Sequence, residues 1–168
     1  MKPFIYNQTK IPKDQWRYGL RSSAATGCGW IATYNALHLL GWDAEIPDLI
    51  SYYEHQLPLI HGTCGTSFWG PALCFRQWGF PTKMHFDSRT FDAAAREAPA
   101  SILLFYWKKG VKIGAHFVAL HHDGNQFVGF NTFRHSVGPD RYGPSLTEFL
   151  RRQHYFGAVL ITIEKKRS

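Results

Sequence analysis

The sequence predicts an α+β protein in which helices pack on a mainly antiparallel sheet. Three observations carry that expectation. Helix-compatible runs separated by glycines fill the first half of the chain, from Cys28 to Glu97. Short apolar runs of strand type fill the second half, from Ser101 to Ile163. Between two of those runs stands Asp123-Gly124, a strong short hairpin signal. Helices first and strands later read as an α+β class, not as alternating βα units.

The elements follow in chain order. Residues 1–24 are expected to be irregular, because Pro3, Pro12 and Gly19 interrupt any period. A helix is expected from Cys28 to Leu40, apolar on most sides and so buried, with Gly41 ending it. Pro47 suits the first turn of a second helix through His55. The small-residue loop from His61 to Ser67 leads to a third helix over Phe68 to Trp78, with Thr66 or Ser67 as its cap and Gly79 as its end. A short fourth helix spans Phe91 to Glu97, capped by Ser88 or Thr90 and ended by Pro99.

Strands are expected over Ser101–Trp107, Ala115–His121 and Gln126–Asn131. Ser145-Leu146-Thr147-Glu148 has capping-box spacing and opens a last helix to about Arg152. Phe156–Ile163 is the last strand. The whole, 1–168, reads as one domain: an irregular segment 1–24, a helical half 25–98 and a sheet half 99–164.

Composition narrows the function classes. With 45% hydrophobic and 18% charged residues the chain is globular and not disordered. No apolar run approaches the roughly 20 residues that span a bilayer, and the first residues show no apolar signal core, so no membrane association is expected. Three cysteines (Cys28, Cys64, Cys74) are too few and too odd for a disulfide framework, which points to a reducing cytoplasm. The net charge of +7 is spread over scattered basic residues, with short clusters at Lys108-Lys109, Arg151-Arg152 and Lys165-Lys166-Arg167. Without a recognition helix, finger or stacking sheet this argues against nucleic acid as a partner, and it leaves an acidic substrate open. Nothing in the composition speaks to oligomeric state.

The chemistry centres on Gly27-Cys28-Gly29. A thiol in the first turn of a helix faces unpaired N–H groups and the positive end of the dipole, which favours thiolate, the nucleophile. The glycines leave room for close approach to the sulfur. Cys28 is therefore expected to titrate well below an ordinary thiol, while Cys74, mid-helix, reads as core. If Asp123 and Gly124 are the two turn residues, His122 faces Asn125 and, further along both strands, His116 faces Asn131. The Asn131 amide oxygen would then hold one imidazole nitrogen and leave the other for a thiol, giving a nucleophile, base and orienter set of Cys28, His116 and Asn131. Trp107 and Phe133 at strand ends, and Cys64 and Thr66 in the loop, are candidates to line a substrate groove. His61, Cys64, His121 and His122 could in principle gather zinc, but paired ligand spacings are missing and neither metal nor any other cofactor is expected.

Cys-Gly opening a central helix, a later His on a strand and an Asn one hairpin on resemble a papain-like cysteine peptidase. Gly65-Thr66-Ser67 before the next helix, Trp78-Gly79-Phe80 closing it and His116-Phe117-Val118 narrow the likeness. Together they resemble the bacteriocin-processing peptidases that cut double-glycine leader peptides. The resemblance implies a papain-like fold and a thiol hydrolase, most simply a cysteine peptidase, with a peptide or protein as substrate. The same machinery could serve acyl transfer, or the chain could be an inactive peptide-binding module. The family also places a Gln shortly before the Cys, in the oxyanion hole. Here Ser22 to Gly27 contain none, which leaves Gln8 or Gln15 folding back over the cleft, or a hydroxyl of Ser22 or Ser23.

Overall fold

A computed structural model describes residues 3–56 and 66–166. Residues 1–24, expected to be irregular, contain a 3-10 turn (Gln8–Lys10), a two-residue hairpin of β1 (Arg17–Tyr18) and β2 (Arg21–Ser22), and the start of a one-turn helix, α1 (Ser23–Thr26). These pieces are too short to show a period, which is why the sequence read as punctuation only.

The central helix α2 (Cys28–Leu39) begins on the cysteine as expected. Its residues from Gly29 to His38 are all buried, because the sheet covers one side and other helices the rest. Gly41 takes the left-handed conformation (φ 79°), and the Trp42 N–H returns to Leu37 O at 2.9 Å, closing the helix as a Schellman end. Next come α3 (Ile46–Gln56) and α4 (Gly70–Gln77). The start of α4 differs from expectation. Trp69 occupies the N-cap without a side-chain bond, and Pro71 in the first turn presets the helical φ. Thr66 spends its hydroxyl on Tyr18 Oη (3.2 Å) instead of capping. The zinc reading on His61 and Cys64 lies outside the described residues.

Strand β3 (Thr82–His85) follows, unassigned in the sequence reading because four partly buried residues carry no alternation. Then come α5 (Phe91–Glu97), β4 (Ala100–Lys109), β5 (Lys112–His122), β6 (Phe127–Phe130), β7 (Asp140–Gly143), α6 (Leu146–Arg152) and β8 (Tyr155–Ile163). Ahead of α5 the capping falls to Asp87, whose carboxylate accepts from Arg89 N at 3.0 Å. Ser145 caps α6 by accepting from Glu148 N at 3.2 Å, as the capping-box spacing requires.

The six main strands form one antiparallel sheet in the order β3-β8-β4-β5-β6-β7. Both faces are covered. Ile102, Leu104, Phe117, Ala119 and Ile161 pack beneath α2, α3 and α4. Leu103, Phe105, Val118, Leu120 and Leu160 pack on the other face with α5 and α6. That two-sided burial explains why β4 reads as a continuous apolar run instead of an alternating one. Trp30 is fully buried in the first of these clusters, and truncating such a side chain costs about 3–5 kcal/mol.

The hairpin register departs from expectation. Asp123 N donates to Gln126 O at 3.0 Å, so Gly124 and Asn125 are the turn residues, and His122 pairs with Phe127. The cause is local: the Asp123 carboxylate accepts from Asn125 N and Gln126 N, both at 2.9 Å, which holds Asp123 on the strand side of the turn. The partner of each β5 residue thus moves by two positions, which keeps the face and changes the neighbour.

Candidate active site

Cys28 and His116 open onto one cavity of about 690 Å³, together with Asn131, Gln8, Trp107 and Phe133. α2 brings Cys28 and β5 brings His116, and the two elements pack directly. Cys28 Sγ meets the backbone N–H of Phe117, the residue after His116, which sets the sulfur against that stretch of β5.

The orienting contact on His116 is not the expected one. His116 Nε2 bonds the main-chain carbonyl of Asn131 at 2.6 Å, not its amide side chain. β6 stops at Phe130, and Asn131 takes a left-handed φ of 64°, so the chain leaves the sheet before any rung could place its side chain opposite His116. A carbonyl only accepts, so Nε2 carries the proton and Nδ1 keeps its lone pair. The Phe105 ring stands edge-on to the imidazole at 6.2 Å.

The side chain of Asn131 serves the N-terminal segment instead. Its Oδ1 accepts from Gln8 N at 2.7 Å and its Nδ2 donates to Gln8 Oε1 at 3.0 Å. Gln8 Nε2 in turn donates to Ala24 O at 3.2 Å, just ahead of the cysteine. The same segment is tied to α2 by Asn35, which accepts from Ile5 N and donates to Ile5 O, and to the loop after β6 by Asn7 Nδ2 on Arg134 O. Residues that are far apart in sequence therefore frame the cavity mouth.

Electrostatics also differ from expectation. Burial pushes the Cys28 thiol up, and backbone N–H groups of Phe117, Gly29 and Cys28 itself only partly oppose it. Desolvation of the sulfur outweighs the favourable field at the helix start. Burial likewise pulls His116 down, against the pull of the Asn131 carbonyl, and nearby Arg134 adds to the lowering. Both shifts favour the neutral forms of the thiol and the imidazole. Cys74 is in the core, with its thiol pushed up to about 12 by burial.

The flanking glycines serve packing. A Cβ at Gly27 would lie 2.6 Å from Ser23 O, and one at Gly29 would collide with the Thr66 side chain. Of the other sequence candidates, Trp107 and Phe133 line the cavity. Thr66 is buried between Gly29 and Tyr18 and does not. Ser22 and Ser23 are not among the lining residues, and Ser23 Oγ accepts from Trp30 Nε1 at 3.1 Å. Cys64 lies outside the described residues. Sequence reasoning missed Asn7, Arg21, Arg134 and Arg152 at the cavity; each comes from a different segment, and no local motif joins them.

No protein-family model and no curated protein sequence matches the chain. Among solved structures it is similar to the peptidase domain of Streptococcus ComA, a bi-functional ABC transporter involved in a quorum-sensing pathway. The likeness has a TM-score of 0.57 at 16% identity and covers 84% of this chain and 93% of that domain. The chain thus has the α+β fold of a papain-like peptidase domain, helices on a mainly antiparallel sheet. No helix among the described residues is long and apolar enough to cross a membrane.

Proposed function

We propose that the chain is a thiol hydrolase of papain-like type, a cysteine peptidase acting on a peptide or protein, in which Cys28 is the nucleophile and His116 the base. The observation that carries this reading is the His116–Asn131 carbonyl bond, which leaves Nδ1 unprotonated in the cavity that Cys28 enters. The peptidase-domain fold adds support. In this reading His116 Nδ1 takes the thiol proton as sulfur attacks the carbonyl carbon. The imidazolium then returns the proton to the departing amine, and water repeats the cycle on the thioester. The directions of the two shifts favour a proton that moves during attack over one that moves before it.

Asn131 acts through its main chain, holding the ring and its tautomer. Gln8 and the Cys28 N–H are the candidate oxyanion donors, Gln8 by turning its amide from Ala24 O into the cavity. An amine in place of water would make the same cycle an acyl transfer. One observation favours a second reading, a peptide-binding module without turnover: Gln8 Nε2 is engaged with Ala24 O and not presented to the cavity. A cytoplasmic site of action and a single domain over 1–168 belong to the proposal on the sparse cysteines and the chain length.

The test is incubation with a proteome-derived peptide library, with new termini mapped by mass spectrometry. Cleavage that Cys28→Ala and His116→Ala each abolish is the expected result. Binding without new termini in the unaltered protein would favour the module, and new amide products with added amines would favour acyl transfer.

A further inference from the structure

The mouth of the cavity carries Arg21, Lys109, Arg134 and Arg152, and among the described residues no Asp or Glu lines it. The four side chains are exposed and come from β2, the end of β4, the loop after β6 and the end of α6. Among the described residues none of them has a carboxylate within ion-pair distance. Elsewhere on the surface a cation does find one: Arg89 holds Asp87 at 2.7 Å. Arg152 donates to Tyr142 O at 2.6 Å, which positions its guanidinium without neutralising it, and Asn7 holds the main chain at Arg134. Like charges gathered around a concave site with low-dielectric walls focus the field and raise the local concentration of an opposite charge. Trp107 and Phe133 add apolar surface between them.

We infer that this site selects acidic peptides, with Asp or Glu side chains flanking the bond presented to Cys28. The inference rests on the peptide-directed reading above and adds the substrate's charge class to it. Guanidinium groups meet carboxylates in paired hydrogen bonds, so the arginines contribute geometry as well as charge. A scattered positive surface would give weak attraction everywhere. Four unpaired cations on one rim give it at one place.

The test uses fluorescently labelled peptides of equal length whose flanking residues are Asp/Glu, Asn/Gln or Lys. Their binding to the Cys28→Ala protein is read by anisotropy at about 0.01 M and about 0.15 M salt, where the Debye length falls from roughly 30 to 8 Å. The acidic peptides are expected to bind at least about 10-fold tighter than the neutral ones at low salt, with most of that preference lost at the higher salt. Arg134→Glu, an exposed position, is expected to cancel the preference. Lys83→Glu on β3, at the far edge of the sheet, makes the same change in net charge and is expected to keep it.

Equal binding of the three peptides overturns the inference, as does an equal effect of Lys83→Glu and Arg134→Glu. Stronger competition by a single-stranded oligonucleotide than by the acidic peptide also overturns it and points to nucleic acid. Cleavage of the same peptides by unaltered protein keeps the two proposals separate. Acidic peptides bound but uncut remove the peptidase and leave the selectivity, whereas all three cut at equal rates removes the selectivity and leaves the peptidase.

Discussion

His116 Nε2 meets the main-chain carbonyl of Asn131 at 2.6 Å, while the amide of the same residue turns away to hold Gln8. One residue thus orients the proposed base with its backbone and anchors the N-terminal segment with its side chain. The left-handed φ of 64° at Asn131 makes both possible, since it lifts the carbonyl toward β5 as the chain leaves β6.

Asn131→Gly separates those two jobs. Glycine adopts the left-handed conformation freely and keeps the carbonyl, so the tautomer of His116 survives while both bonds to Gln8 are lost. A fall in stability of about 1–3 kcal/mol in urea denaturation is expected, because Gln8 loses its buried partners. Turnover is expected to persist at reduced rate. A loss as complete as that of His116→Ala would assign the orienting role to the side chain after all.

Alkylation of Cys28 tracks its raised pKa. Iodoacetamide labelling, mapped by peptide mass spectrometry, is expected to be slow at pH 5–7 and to rise only on the alkaline side of the usual thiol value of 9.0. Cys74 is expected to stay unlabelled until the protein unfolds, given its burial. A labelling rate for Cys28 that stays high near pH 5 would mean a preformed thiolate and imidazolium pair.

The histidines give stability a definite pH dependence. Burial lowers His116, His85 and His121 below the ordinary 6.5, so the folded state prefers them neutral. As pH falls below 6.5 the unfolded chain takes up protons first, and stability drops until the folded forms protonate as well. The urea midpoint is expected to be lower at pH 5 than at pH 7.5, with a shallower decline in His116→Gln. A midpoint that rises on acidification would contradict the burial of neutral imidazoles.

Gly29→Ala tests the close packing beside the cysteine. The added methyl collides with the Thr66 side chain, and overpacking of this kind costs about 1–3 kcal/mol. Pairing it with Thr66→Ala, which removes the Oγ1 nearest the added carbon together with the methyl group, is expected to restore part of the loss in melting temperature. An unchanged melting temperature in Gly29→Ala would show that Thr66 yields without cost.

Features governed by residues close together in the chain were legible in the sequence. The start of α2 at Cys28, its end at Gly41, the Ser145 cap and the two-sided burial of β4 follow from backbone chemistry and apolar patterning within a few residues. Those signals were enough for the α+β class and for placing Cys28 and His116 on a helix and a strand. Only the tertiary structure decided what those residues meet. It set the Asn131 main-chain carbonyl, and not the amide, against His116, because the turn shifted the register and β6 ends at Phe130. It raised the Cys28 thiol, because desolvation depends on everything packed around the sulfur and the helix start is only one part of that. It gathered Gln8 and four basic residues from separate segments around one cavity. Long-range contacts and burial leave no local pattern, so the sequence could place Cys28 and His116 on their elements but not the field in which they sit.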